Sequence, residues 1–545
     1  MRHARFEVPE AYNEPIQAYA PGSPERASLQ RTLEAMHGDR IEAPMVIGGK
    51  EVKGDQTFAR EMPHDHQRVV ADAHMADEKH VQDAIKAALE AQREWAERPL
   101  EERVSVFLKA ADLIAGPWRD TINAATMLGQ SKTVHQAEIE AVAELCDFLR
   151  FNCQFAEQIY AEQPWSPKGV WNRMEYRPLE GFVLAITPFN FTAIAGNLPA
   201  APAIMGNVAL WKPSEKQVLA AHYTMEIFRE AGLPDGVINL LHGDGDLVSR
   251  AAMDHPEFAG LHFTGSATVM KGLWKRASEN LDRYRNFPRL VGESGGKDFV
   301  VAHPSADEEL ADQLVVALGR AAFEYQGQKC SAASRAYIPR SLWPKVRDGI
   351  ADLTRSIPMG DISDFSNFMG AVIDQKAFEK HRDAIARAKD DGLEVLAGGA
   401  TDDSKGWFVD PTVFVSEDPR HWIMETELFG PILTVHVFDD DRWDETLELV
   451  DTTSPYGLTG SVFARDRSVI RDTEARLRWA AGNFYINDKP TGSVVGQQPF
   501  GGGRLSGTND KAGSSLNLTR WISPRAIKET AVAPTDWRYP HMDED

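Results

Sequence analysis

Cysteine is scarce in this chain, with three in 545 residues: Cys146, Cys153 and Cys330. So small and odd a set excludes a disulfide-stapled scaffold and fits a reducing compartment. Positive charge is outnumbered, 59 Lys and Arg standing against 81 Asp and Glu for a net charge of −22. That balance speaks against nucleic acid as a partner, because phosphate-binding surfaces need a cationic excess. No apolar run reaches the roughly 18 residues that a spanning helix requires, so no membrane partner is expected. The opening MRHARFEVPEAYNEP has no apolar h-region, and Glu7, Glu10 and Glu14 are out of keeping with a transit peptide. The chain is therefore expected to work in the compartment where it is made, the cytoplasm of a bacterium. His64 and His66 stand two apart without a second His/Cys pair at metal-binding spacing, so no metal site is expected. A GxSxG elbow, the mark of many serine hydrolases, is missing too.

What is present is enough chain for two or three domains with large cores, 43% of it hydrophobic. Two cysteines have a structural explanation. Ile139, Val142, Cys146, Leu149 and Cys153 recur at helical spacing, which puts Cys146 and Cys153 on a buried helix stripe. Cys330 fits no stripe, and it is the one candidate reactive thiol.

Along the chain, the first 75 residues read as an extended arm with short elements, because Pro9, Pro15, Pro21 and Pro24 break any long helix. From Glu78 to Gln163 the pattern is helical. After Gly181 short apolar runs alternate with helices: GFVLAIT, VALWKP, GVINLLHG and GLHFTGS, with Leu219, Tyr223 and Ile227 on the face of an intervening helix that stops at Gly232. This alternation predicts βαβ units in a parallel, doubly wound α/β sheet, with ligands at the carboxyl ends of the strands. A second alternating block runs from VGESGGKDFVVA (291–302) through SRAYIP, PILTVHVFD, GSVFA and NFYIN. The tail WISPRAIKETAVA reads as an edge strand able to pair with a neighbour.

Several short segments could carry chemistry. In EYQGQKCSAAS, Gly327 opens a turn that presents Cys330 beside Lys329. A neighbouring cation can lower a thiol pKa, although an inert loop cysteine fits the local pattern equally well. Glu293 in GESGGK stands ahead of two glycines and could serve as a base for water, or be a solvated loop acid. Asn190 of ITPFNF sits in a strand-to-helix turn, where its amide could hold an oxyanion or simply cap the helix. Lys212 of WKPSE, and Gly265 and Ser266 of FTGSA, lie at strand ends where a pyrophosphate could meet backbone N–H groups. HGDGDLV matches the GxGxxG fingerprint only in part and carries no weight here.

In order, PFN, KPS, FTGS, GESGGK, GQKC, ELFGP and PFGG resemble the aldehyde dehydrogenase superfamily over about 310 residues. SPER, FEYQGQKCSA, AAGNFYINDKPTGSVVGQQPFGG and SGTNDK resemble its 1-pyrroline-5-carboxylate dehydrogenase branch over nearly the whole chain. The resemblance implies NAD(P)-dependent oxidation of L-glutamate γ-semialdehyde to L-glutamate through a cysteine thioester, the second step of proline catabolism. Another carboxylated semialdehyde is the alternative. Cys330 would be the nucleophile, Asn190 with the Cys330 N–H the oxyanion site, and Glu293 the base for hydrolysis. Thr187, Lys212, Ser214, Glu215, Gly265, Ser266, Glu427 and Phe429 would hold NAD, with NADP possible and Glu215 favouring NAD. Gly492, Ser493 and Ser331 would bind the substrate carboxylate, Phe191 and Phe500 its stem, and Glu144 would lie near its amino group. Met270 stands where the common superfamily pattern has a second glycine.

The implied fold is a Rossmann-like NAD-binding domain, an α/β catalytic domain and a β oligomerisation flap. Its limits would be 1–160 with 183–292, then 293–510, then 161–182 with 511–545. A small-molecule substrate and a homo-oligomer, dimer or dimer-based hexamer, are expected. Hand-off from a separate proline dehydrogenase is possible, and a eukaryotic source would imply the mitochondrial matrix.

Overall fold

A computed structural model describes residues 6–542; the outermost limits of the expected domains, 1–5 and 543–545, lie outside the described residues. After the arm, the chain forms the helix Pro24–Gly38, capped by Ser23, whose hydroxyl accepts from Arg26 N. Here the sequence expectation fails in an instructive way. Pro24 starts a helix of 15 residues, because a first-turn N–H has no helical partner and its loss costs nothing.

The helical stretch that follows comprises Glu78–Glu97, Leu100–Ala115 and Arg119–Gln130, then a π-helical segment Glu138–Ala143 that runs into Glu144–Ala161. Cys146 and Cys153 are fully buried on the last of these. Their thiols face Ala111 O at 3.4 Å and Val104 O at 3.8 Å on the helix Leu100–Ala115. They are core residues, as the stripe predicts.

Two seven-stranded sheets organise the rest. The first runs, edge to edge, Arg289–Glu293, Phe258–Thr264, Phe182–Thr187, Val208–Pro213, Ile238–Leu240, Met45–Ile47 and Lys50–Val52. Its first five strands are parallel. Alternate side chains enter opposite cores, Val183 on one face and Phe182 and Leu184 on the other, which is why these strands read as continuous apolar runs. The second sheet runs Glu394–Ala397, Thr412–Val415, Ile432–Phe438, Ala333–Pro339, Asp298–Ala302, Thr459–Phe463 and Asn483–Ile486. The segment VGESGGKDFVVA, which reads as one strand unit of the second block, is divided. Arg289–Glu293 closes the first sheet and Asp298–Ala302 enters the middle of the second.

The tail strand Ile522–Thr530 pairs antiparallel with Val170–Pro178 of the same chain, forming a two-stranded ribbon. Among the described residues no helix is long and apolar enough to cross a membrane.

Candidate active site

The helix Glu308–Phe323 ends in a strained turn. Tyr325 (φ 50°), Gln326 (φ 55°) and Gly327 (φ 65°) are consecutively left-handed, a region costly for the two residues that carry a Cβ. Buried side-chain bonds hold it. Tyr325 Oη donates to Gln130 O at 3.1 Å, and Gln326 Nε2 donates to Ser131 O at 3.0 Å and Ala371 O at 2.7 Å. Gln326 Oε1 accepts from Gly370 N at 3.0 Å. At Gly327 a Cβ would collide with Gly430 O. The turn thereby delivers Cys330 to a cavity of about 370 Å³.

Lys329 does not activate that thiol, contrary to the sequence expectation. Its side chain is 1% exposed and turns away to pair with Glu140 at 2.5 Å and Glu324 at 3.1 Å; Glu140 also pairs with the buried Lys132. Burial instead pushes the Cys330 thiol well above its ordinary pKa, and the charges of Glu293, Asp298, Glu427 and Glu144 push the same way. Cys330 rests as a thiol and needs a base in order to attack.

Asn190 is buried between the strand Phe182–Thr187 and the helix Thr192–Ile204. It caps no helix, since Phe191 holds that position without a side-chain bond. Its Nδ2 donates to Gln328 O at 3.0 Å, two residues before the nucleophile. Glu293 ends its strand, and its side chain lies in a small pocket with Ile194, Leu198, Val291 and Phe500. Burial raises its pKa to about 7, with the Lys511 cation opposing and Asp510 adding. Glu144, Ile194 and Phe500 line both this pocket and the Cys330 cavity, so the two adjoin. The glycines after Glu293 serve other neighbours. A Cβ at Gly295 would collide with the Glu427 carboxylate, and one at Gly296 with Cys330 O and Asp298.

Of the residues expected to hold the cofactor, Thr187, Lys212, Ser214, Glu215, Gly265 and Ser266 lie at carboxyl ends of the first sheet, whereas Glu427 and Phe429 lie in the loop before Ile432–Phe438 of the second. Thr187 Oγ1 accepts from Trp211 Nε1 at 3.0 Å, and Thr187 O from Ser214 N at 3.0 Å. Ser214 caps the short turn Glu215–Gln217. Lys212 is buried, which lowers its pKa; Glu215 and Asp244 oppose this, but no ion pair joins Lys212 to a described residue. Gly265 N donates to Glu293 O at 3.1 Å, and Ser266 caps the helix Ala267–Glu279. Met270, in place of a glycine, packs its thioether against Gly292. Glu427 Oε1 accepts from Gly296 N at 2.9 Å, and burial raises its pKa. Phe429 is left-handed (φ 58°) and stands edge-on to Phe189 at 5.8 Å. A dinucleotide fits this set: a buried ammonium has no ion-pair partner among the described residues, a helix N-terminus is available to a pyrophosphate, and a carboxylate is held in place.

All six residues expected at the substrate line the Cys330 cavity: Glu144, Phe191, Ser331, Gly492, Ser493 and Phe500. Ser331 Oγ and Thr491 Oγ1 are 2.7 Å apart, and Gly492 is left-handed at φ 88°. Glu144 Oε2 is buried without a hydrogen-bond partner among the described residues. Burial raises its pKa strongly and the Glu140 charge adds to this. Sequence reasoning missed Lys489 and His135, which also line the cavity, and the arm residues Asn13, Glu14 and Ile16. It missed Lys511 too, whose Nζ donates to Gly482 O at 2.8 Å and Gly501 O at 2.9 Å. Lys511, inside SGTNDK, and Lys489, inside AAGNFYINDKPTGSVVGQQPFGG, carried a motif signal; His135 and the arm residues carried none.

Known proteins resemble the chain over most of its length. The family model described as "Aldehyde dehydrogenase family" matches residues 51–527. A probable delta-1-pyrroline-5-carboxylate dehydrogenase of Schizosaccharomyces pombe is 51% identical, with 98% of this chain and 99% of that protein covered. The mitochondrial delta-1-pyrroline-5-carboxylate dehydrogenase of Bos taurus is 50% identical, with 97% and 94% covered. Among solved structures, the Mycobacterium tuberculosis delta-pyrroline-5-carboxylate dehydrogenase bound with NAD superposes with a TM-score of 0.96 at 54% identity, both chains covered completely.

Proposed function

The chain belongs to the aldehyde dehydrogenase family, and we propose that it oxidises L-glutamate γ-semialdehyde, the open form of 1-pyrroline-5-carboxylate, to L-glutamate with NAD. The observation that carries this reading is a single cavity lined by Cys330 and by Ser331, Gly492 and Ser493. A hydroxyl-rich loop beside the nucleophile suits a carboxylated aldehyde better than an apolar one.

The sequence of events follows from the groups present. Glu293, poised near neutrality, accepts the thiol proton as Cys330 Sγ adds to the aldehyde carbon. The oxyanion that forms is held by the second Nδ2 hydrogen of Asn190, the first being given to Gln328 O, and by Cys330 N. NAD, when bound, accepts the hydride that turns the adduct into a thioester. Lys212, Ser266 and Glu427 hold and orient it. Once it has released the thiol proton to solvent, Glu293 takes a proton from water, which attacks the thioester; the C–S bond breaks, glutamate leaves, and that proton passes to the thiolate to restore the thiol. The Glu215 carboxylate would repel a 2′-phosphate, so NAD is preferred to NADP.

In this reading residues 1–160 and 183–292 form the cofactor-binding part and 293–510 the catalytic part. Residues 161–182 and 511–545 form a flap that joins copies into a homo-oligomer. The polypeptide crossing between the sheets at Ser294–Lys297 supports the limit at 293.

Steady-state NADH formation with the semialdehyde and with propanal tests the assignment. Ser493→Ala should raise KM about tenfold for the semialdehyde, the worth of roughly one hydrogen bond to a charged group, and change it little for propanal. Equal turnover of both aldehydes by the unaltered enzyme would refute the carboxylate anchor.

A further inference from the structure

The arm has no role in the mechanism above, yet it is firmly built in. Residues 6–20 form no helix or strand, and their backbone is fastened by side chains of the helical stretch. Val8 N donates to Glu157 Oε2 at 2.9 Å, Glu14 N to Asp147 Oδ1 at 2.6 Å and Gln17 N to Glu138 Oε1 at 2.9 Å. The Glu14 carboxylate lies between Arg119 at 2.7 Å and Arg150 at 2.8 Å, all three side chains less than a tenth exposed. Such buried charge pairing leaves the arm little freedom to lift away, since parting one member strands the others.

One residue of the arm reaches the substrate loop. Asn13 Nδ2 donates to Asp147 Oδ2 at 2.8 Å and to Val495 O at 2.8 Å, while its Oδ1 accepts from Gln497 Nε2 at 2.9 Å. An amide is the only short side chain with two donors and an acceptor to make all three bonds. The loop it grips has no helix or strand over 487–499 and holds two left-handed glycines, Gly492 and Gly496. One turn of it is closed by its own bonds, Gln497 N and Gln498 N donating to Val494 O at 3.0 and 2.9 Å, and its seat against the helical stretch comes from such clasps. Asn13, Glu14 and Ile16 border the same cavity as Gly492 and Ser493.

We propose that Asn13 is a positioning residue: by clasping Val495 and Gln497 to the helix Glu144–Ala161, it presets the loop that presents Gly492 and Ser493, and so sets the enzyme's preference for carboxylated aldehydes. This rests on the carboxylate anchor assigned above. Preorganising a binding loop lowers the ordering cost of each binding event, so its loss appears in KM before kcat.

The test compares Asn13→Ala, Gln497→Ala, their double variant and Ser493→Ala in steady-state assays with L-glutamate γ-semialdehyde and propanal. Asn13→Ala should raise KM for the semialdehyde about tenfold, with kcat within about twofold and propanal kinetics changed less than about twofold. Gln497→Ala should give a smaller rise of the same kind, and the double variant should be no worse than Asn13→Ala, because the two share one clasp. A fall in kcat for both aldehydes alike would mark a merely structural arm and overturn the proposal. So would an unchanged semialdehyde KM in Asn13→Ala while Ser493→Ala raises it. If Ser493→Ala itself leaves that KM unchanged, the carboxylate anchor falls and the inference falls with it. Should Asn13→Ala not fold, Gln497→Ala, exposed at the far end of the clasp, decides by the same KM criterion.

Discussion

Single side chains set the chemistry, and Glu293 shows how. Its carboxyl belongs to a buried environment that lifts its pKa to about 7, and only the ionised form can take a proton. Deacylation should therefore be slow below that value, rise with pH through about 7 and level off above it. A pre-steady-state pH profile of thioester hydrolysis checks this; an acidic limb near 4.5, the ordinary glutamate value, would contradict the burial argument. Cys330, Glu293 and Asn190 were legible in the sequence because each sits in a short motif at a strand or helix end, where ligands gather. The behaviour of the thiol was not. Adjacency to Lys329 in the chain suggested a lowered pKa, but successive residues of a turn face different ways, and the ammonium is spent on Glu140 and Glu324.

Elements position those residues, and Gln326, together with Tyr325, holds the turn before Cys330. Truncating Gln326→Ala would leave Ser131 O, Ala371 O and Gly370 N unpaired in the interior. Urea unfolding should show a loss of about 2–4 kcal/mol, and kcat should fall as the turn relaxes. An unaltered unfolding midpoint would mean that the left-handed backbone needs no such support. Strands of the two sheets were readable as apolar runs, and the helix stripes placed Cys146 and Cys153 in the core. Two readings failed for physical reasons. Proline at a first helical turn is benign, so Pro24 opens a helix where a break was expected. Periodicity cannot tell which sheet a short strand joins, so the crossing at Ser294–Lys297 emerges only from the pairing.

Across the chain as a unit, two features stand out. Among the described residues nothing pairs with the outer edges of the ribbon of Val170–Pro178 and Ile522–Thr530, and it exposes Trp171. A lone two-stranded ribbon is marginal in water, and its free edges favour pairing with another copy. If the ribbon joins copies as proposed, removing residues 523–545, which spares the buried Trp521 and Ile522, should leave monomers in light scattering; an unchanged oligomeric mass would show that the ribbon is not the interface. The second feature is that the proposed site is shared between sheets, Glu293 ending a strand of the first and Cys330 standing ahead of a strand of the second. If that shared site works through a thioester, Glu293→Gln should bind NAD, attack the aldehyde slowly because the thiol then yields its proton only to solvent, and fail to release product. Mass spectrometry of this variant, mixed with NAD and L-glutamate γ-semialdehyde, should find one glutamyl group on the peptide containing Cys330, and none when Cys330 is also replaced by Ala. A turnover-competent Cys330→Ala enzyme, or a glutamyl adduct on any other residue, would contradict the account.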